Sequence, residues 1–211
     1  MDKFSLYDFM SFFLPGVLAT FVGYQVIPEG VVVFKSLNEL TDGLLFLIVA
    51  LTLGLGIHRL TFGLLHLKWY KKWLYPSIAT LVSDKYPDVS KKFNELNERF
   101  NQQKRSPDDL FDEAYYYLEY HDKITTAKAF QSMYFFLRNV FTIALVLLPL
   151  VLLLTLWGEF FFDWTHWFYY TLGVLALLFG LPNITVFYRL KMVERVFFSY
   201  YVALAHAENK K

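Results

Sequence analysis

The chain contains no cysteine. That absence excludes a disulfide-stapled secreted module, a cysteine-based zinc site and a cysteine nucleophile. Charge is also scarce. Only 18% of the residues are charged, against roughly a quarter in soluble domains, and 20 Lys+Arg nearly cancel 19 Asp+Glu to leave +1. So small a net charge weighs against nucleic-acid binding driven by bulk electrostatics. Compact catalytic signatures are missing as well: there is no G-x-S-x-G, Walker loop, H-E-x-x-H or glycine-rich dinucleotide fingerprint. His58 and His66 stand two helical turns apart, too far to share one metal ion without further ligands. The reading is therefore a non-enzyme with no assigned catalytic, cofactor or metal residues. An interfacial lipid-modifying enzyme stays open, because such sites need few polar groups.

What the chain has is apolar surface: 56% of its 211 residues are hydrophobic and 20% aromatic, which excludes disorder. Crossing a bilayer core takes about 20 apolar residues. Four runs qualify, at residues 9–27, 43–67, 139–158 and 164–188, and Arg59 is the only charge inside them. Pro15 and Gly16 interrupt the first run near its start, where Ser11 or a neighbouring helix can satisfy the freed carbonyl. The N-terminus lacks the cleavage pattern of a signal peptide.

The expected fold is all-α: a polytopic membrane protein of four transmembrane helices in two hairpins, with a cytoplasmic helical bundle between spans two and three. Residues 1–67 form the first hairpin, 68–138 the cytoplasmic region, 139–188 the second hairpin and 189–211 a cytoplasmic C-terminal helix. Basic residues set the orientation. The 68–138 segment holds 12 Lys+Arg, and Arg189, Lys191, Arg195, Lys210 and Lys211 follow span four. The two short connections carry Glu29, Glu39, Asp42, Glu159 and Asp163 against Lys35 alone. Both termini are thus expected in the cytoplasm, at a bacterial inner membrane.

Within the bundle, Val89, Phe93, Leu96 and Phe100 form an apolar stripe, and the residues at 102–105 end that helix. Ser106-Pro107-Asp108-Asp109 reads as a helix start, with Ser as cap and Pro at the first helical position. Ala127, Phe130, Met133, Tyr134 and Leu137 lead without a breaker into span three, predicting one long helix. Met192, Val193, Val196, Phe197, Tyr200 and Tyr201 extend span four as a stripe expected to pack on the central helices.

Three spans carry a face of small or polar residues: Gly16, Ala19, Thr20 and Gly23; Thr52, Gly56, Arg59, Gly63 and His66; and Gly173, Ala176, Gly180 and Asn183. Such faces let membrane helices approach closely, either within one subunit or between subunits around a gated pathway. Span three has no such face and is expected to meet lipid. Arg59, about two turns from the cytoplasmic end, either snorkels or points at protein or water. The second face is the candidate pore or packing surface. Lys68, Lys71 and Lys72, interleaved with Trp69, Tyr70 and Trp73, are the candidate contact to anionic lipid. A nucleotide or nucleic-acid ligand is the alternative, with Lys91, Lys92, Arg99, Lys104 and Arg105 extending the surface.

The opening Ser5-Leu6-Tyr7-Asp8-Phe9, followed by Phe12-Phe13-Leu14-Pro15-Gly16, resembles the start of small multi-pass membrane proteins of bacterial anti-phage defence systems. The resemblance implies a homo-oligomer, with a tetramer as the working size, that perturbs the membrane or anchors a soluble partner. The expected function is an oligomeric inner-membrane effector: a gated pore or membrane-perturbing subunit controlled through its cytoplasmic region. The alternative is a non-conducting scaffold or sensor that recruits a soluble cytoplasmic protein.

Overall fold

The structure, a computed structural model, describes residues 7, 9–26, 39–83, 85–100, 106–156 and 164–208. Among them the chain is helical and contains no strand. The expected connections bearing Glu29, Lys35, Glu159 and Asp163, the helix end at 102–105, and Lys210 and Lys211 lie outside the described residues.

A π-helical turn, Phe9–Phe13, runs into α1 (Leu14–Val26). Then come α2 (Glu39–Leu64), the short α3 (Lys68–Leu74) and α4 (Ile78–Leu81), and α5 (Pro87–Phe100). They are followed by α6 (Pro107–Tyr120), α7 (Thr125–Leu156) and α8 (Trp164–Glu208). Three helices are long and apolar enough to cross a membrane, over Thr41–Leu64, Thr125–Val146 and Thr171–Ala207. The first apolar run gives a shorter helix. Pro15 has no N–H to donate, so regular α-helix begins only at Leu14, and its 13 residues rise about 20 Å.

At 32 and 45 residues, α7 and α8 are about 48 Å and 68 Å long, well beyond a hydrocarbon core of about 30 Å. Their surplus turns build the bundle. Ile124 and Ala127 beside the start of α7, and Met192, Val193, Val196, Phe197, Tyr200 and Ala203 of α8, share one buried core with Ile78, Leu81, Val89, Leu96, Leu110, Ala114 and Leu118. The stripe after span four thus packs on the central helices, and the unbroken α7 matches its expected continuity. The Ser106 side chain accepts a hydrogen bond from the Asp109 N–H, and Pro107 opens the helix, so that start is formed as its sequence dictates.

α1 and α2 run antiparallel at very close range. A Cβ on Gly16 would collide with the Ala50 carbonyl, and one on Gly54 with the Phe12 carbonyl. Glycine at both positions is what allows the two backbones to touch. The C-terminus of α2, the N-terminus of α7 and the C-terminal half of α8 all lie at the bundle end, and Tyr7 reaches it through its edge contact with Phe135. The first part of span three departs from expectation: over 139–144 every residue is buried, so this part of α7 is enclosed by the other helices, while Val146 and Pro149 beyond it are exposed. The buried part is enclosed because α1, α2, α3 and α8 all pack against it through the Tyr70, Leu74, Val140, Phe141 and Leu181 cluster.

Candidate functional site

The polar groups of the described fold converge where α2 ends, α3 begins and α7 leaves the bundle. Tyr70 and Thr61 hydroxyls lie 2.8 Å and 2.9 Å from Thr142 Oγ1, which donates to the Arg138 carbonyl at 3.1 Å. Burial pushes the Tyr70 phenol up from its usual pKa, which keeps it protonated and able to donate. Tyr134 Oη donates to the Leu74 carbonyl at 3.1 Å, satisfying the last turn of α3. One helix turn away, Asn139 Nδ2 donates to the Ser11 carbonyl and sits 3.2 Å from His58 Nδ1. Ser11 lies four residues before Pro15, so this is the carbonyl the proline leaves without an α-helical donor. A neighbouring helix does satisfy it.

Arg138 is the centre of this junction. It is fully buried and is the largest such side chain among those described. Its Cζ lies 4.4 Å from the Phe135 ring centroid, 4.6 Å from Phe62 and 5.6 Å from Tyr134. Nε, Nη1 and Nη2 have no hydrogen-bond partner, and no carboxylate pairs with it among the described residues. Cation–π contacts return about 0.5–2 kcal/mol each, whereas burying the charge costs several kcal/mol. An ionisable group held this way within an apolar helix marks a candidate functional position. Sequence reasoning missed it by taking Arg138 as the last residue of a cytoplasmic segment. The signal was available: Phe135-Phe136-Leu137 precede it and Val140-Phe141 follow it, with no breaker between.

Arg59 stands in contrast. It is exposed on the outside of α2, together with Thr52, Gly56 and Gly63, whereas His66, expected on the same face, lies exposed in the turn after the helix ends at Leu64. Among the described residues no partner is seen for Arg59. A Cβ built on Gly56 or Gly63 meets nothing within 4 Å, and the Thr52 hydroxyl turns back to the Ile48 carbonyl at 2.8 Å. The face α2 uses inside the chain is the opposite one: Ala50, Gly54 and Thr61. On α8 the pattern repeats. Gly173, Ala176, Gly180 and Asn183 are exposed, while Val174, Leu181, Thr185 and Arg189 are buried. Of the three small faces, that of α1 alone is used within the chain, through Gly16 and Thr20. His58 lies on α2 beside Asn139, and His66 lies exposed in the turn after α2.

Lys68, Lys71 and Lys72 are all exposed, on a short helix whose Tyr70 and Leu74 are buried and whose Trp69 and Trp73 are 44% and 46% exposed. Lys71 lines a cavity of about 290 Å³ together with Asp108, Asp112, Tyr115, Gln131 and Arg189. Lys72 lines a separate groove on α8. The extended basic surface is partly spent: Lys92 pairs with Glu95 at 3.1 Å, and Arg99 donates to the Tyr201 hydroxyl at 2.9 Å. Lys104 and Arg105 lie outside the described residues. Comparison of the chain with protein-family models, with curated proteins and with solved structures finds no match.

Proposed function

We propose that this protein is an oligomeric integral membrane protein, a gated pore or membrane-perturbing subunit whose cytoplasmic helical bundle controls its membrane helices. The observation that carries this reading is the placement of Arg59. It lies on an outward face of α2 with Thr52, Gly56 and Gly63, opposite the face that α2 uses inside the chain. An arginine left against lipid costs about 2.5–3.5 kcal/mol at mid-span on insertion scales. A second copy covering this face, or a water-filled space between copies, removes that cost. The open small face of α8 supplies a different surface for the next copy, and a contact between unlike faces closes into a ring when the rotation permits. The first apolar helix completes a fourth, shorter crossing, with both termini and the basic bundle on the cytoplasmic side. The N-terminal resemblance supports a setting in bacterial anti-phage defence.

Reconstitution in liposomes tests the reading. The wild-type chain, activated by its physiological trigger or partner, should pass ions. Arg59→Leu should reduce the flux and at the same time stabilise the isolated chain, because a lipid-facing charge is gone. Absence of flux in every state and with every partner removes the pore reading. A second reading, a scaffold for a soluble partner, is favoured by Tyr116 and Tyr120, one turn apart on α6 and 68% and 87% exposed.

A further inference from the structure

The groove that holds Lys72 lies where α3, α4 and the turn before α5 meet α8. Its volume is about 690 Å³. The bundle end of its wall carries Lys72, Lys85 and the Thr80 hydroxyl, and no carboxylate lines it among the described residues. The wall then runs down α8 through Leu190, Phe187, Asn183 and Phe179. Phe179 and Phe187 are 70% and 50% exposed, on the apolar stretch that can cross a membrane. Trp73 of α3 borders the groove on the other side.

The walls are fixed by contacts that do not involve the lysines. Arg189 is buried, stacks on Tyr75 at 3.6 Å from the ring centroid and donates to the Pro76 carbonyl at 3.0 Å. This clamps the turn after α3 to α8, so Lys72 and Trp73 are presented against the helix. Lys85 lies against the Tyr86 ring, 5.5 Å from its centroid.

We infer that this groove binds one anionic phospholipid, with its headgroup phosphate between Lys72 and Lys85 and an acyl chain along Phe187 and Phe179. Charge complementarity selects the headgroup: Lys72 and Lys85 line the groove with no opposing acid among the described residues, and the Thr80 hydroxyl, 2.9 Å from Ser77 Oγ, lies beside them. The apolar, aromatic lower wall selects a molecule with a tail over a free phosphate. Aromatic residues at headgroup depth beside lysines are the usual surroundings of such a lipid. Of the three lysines singled out by sequence, Lys72 alone lies in this groove, and Lys85, which joins it, is thirteen residues away in sequence. The inference rests on the membrane location of α8 and not on conduction.

Native mass spectrometry of the full-length protein, titrated with phosphatidylglycerol or phosphatidylcholine, tests it. Wild type should retain phosphatidylglycerol preferentially. The Lys72→Gln/Lys85→Gln pair should lose roughly 30-fold in its apparent affinity for that lipid, taking each lysine at the usual strength of a basic residue near an anionic headgroup. Lys91→Gln, an exposed lysine outside the groove, should change nothing. Glycerol phosphate, which carries the charge without the tail, should not displace the bound lipid. Equal retention of the two lipids, an unchanged affinity in the double variant, or displacement by glycerol phosphate overturns the inference. The same titration on Arg59→Leu should match wild type, which separates this result from the fate of the pore reading.

Discussion

Arg138→Met should melt at a higher temperature than the wild-type chain. The reason is the imbalance at the helix junction. Among the described residues the guanidinium has three nitrogens without a hydrogen-bond partner and is compensated by the rings of Phe135, Phe62 and Tyr134. Met keeps an unbranched stem of similar length in the aromatic cage and brings no charge. Replacing buried ionic groups by apolar ones of similar volume gains about 1–4 kcal/mol where this has been measured. Arg138→Lys should go the other way, because a compact, strongly hydrated ammonium loses more on burial than a planar guanidinium stacked on rings. The expected order of melting temperature in nanodiscs is therefore Met, then Arg, then Lys. If Arg138 is the charge that a rearranged, active state brings to a partner, the Met variant will be both the most stable and the least responsive in a flux assay. A Met variant that melts below wild type would mean that the arginine is satisfied in the resting fold.

Gly54→Ala should be severe, and Gly56→Ala, two residues along the same helix, should be mild. An added methyl at Gly54 runs into the Phe12 carbonyl, which is backbone and cannot rotate away, so α1 must separate from α2. That separation would also draw the Ser11 carbonyl away from Asn139, leaving a buried acceptor unpaired. The combined loss should reach about 3 kcal/mol or more. At Gly56 the methyl meets open space, and removing a helical glycine gains up to about 1 kcal/mol in the stability of the single chain. Thermal melts of the two variants in the same nanodisc check both signs. Similar losses at both positions would show that the 56 face is already packed.

The contrast between these glycines marks what periodicity can and cannot tell. Ser106-Pro107 specifies its own helix start because the cap and the missing N–H act within four residues. The Met192 to Tyr201 stripe announces a buried face because a charged helix has no other use for so many apolar residues on one side. The sequence of the second span offers two small faces, Ala50-Gly54-Thr61 and Thr52-Gly56-Arg59-Gly63-His66, about 180° apart, and its own spacing does not rank them. The choice is made by α1, whose Gly16 lies against Ala50. Arg138 was hidden for the same reason. Its burial results from Phe62 of α2 and the rings of α7 closing around it, and a positive charge beside a basic segment reads as solvent-facing. The shortened first helix could have been read from Pro15, whose missing donor delays regular helix to Leu14.

The central claim is that the outer face of α2 meets another copy of the chain. The absence of cysteine makes a direct measurement possible, since any single cysteine introduced is the only one present. In membranes, Gly56→Cys or Gly63→Cys treated with a mild oxidant or a short bifunctional thiol reagent should give crosslinked species between chains. Leu51→Cys, also exposed but about 140° around the helix from Gly56 and about 120° from Gly63, should remain monomeric under the same treatment. Efficient crosslinking from Gly56 and Gly63 alone is the predicted result. Monomer at all three positions, or crosslinking as strong from Leu51 as from Gly56, would contradict it.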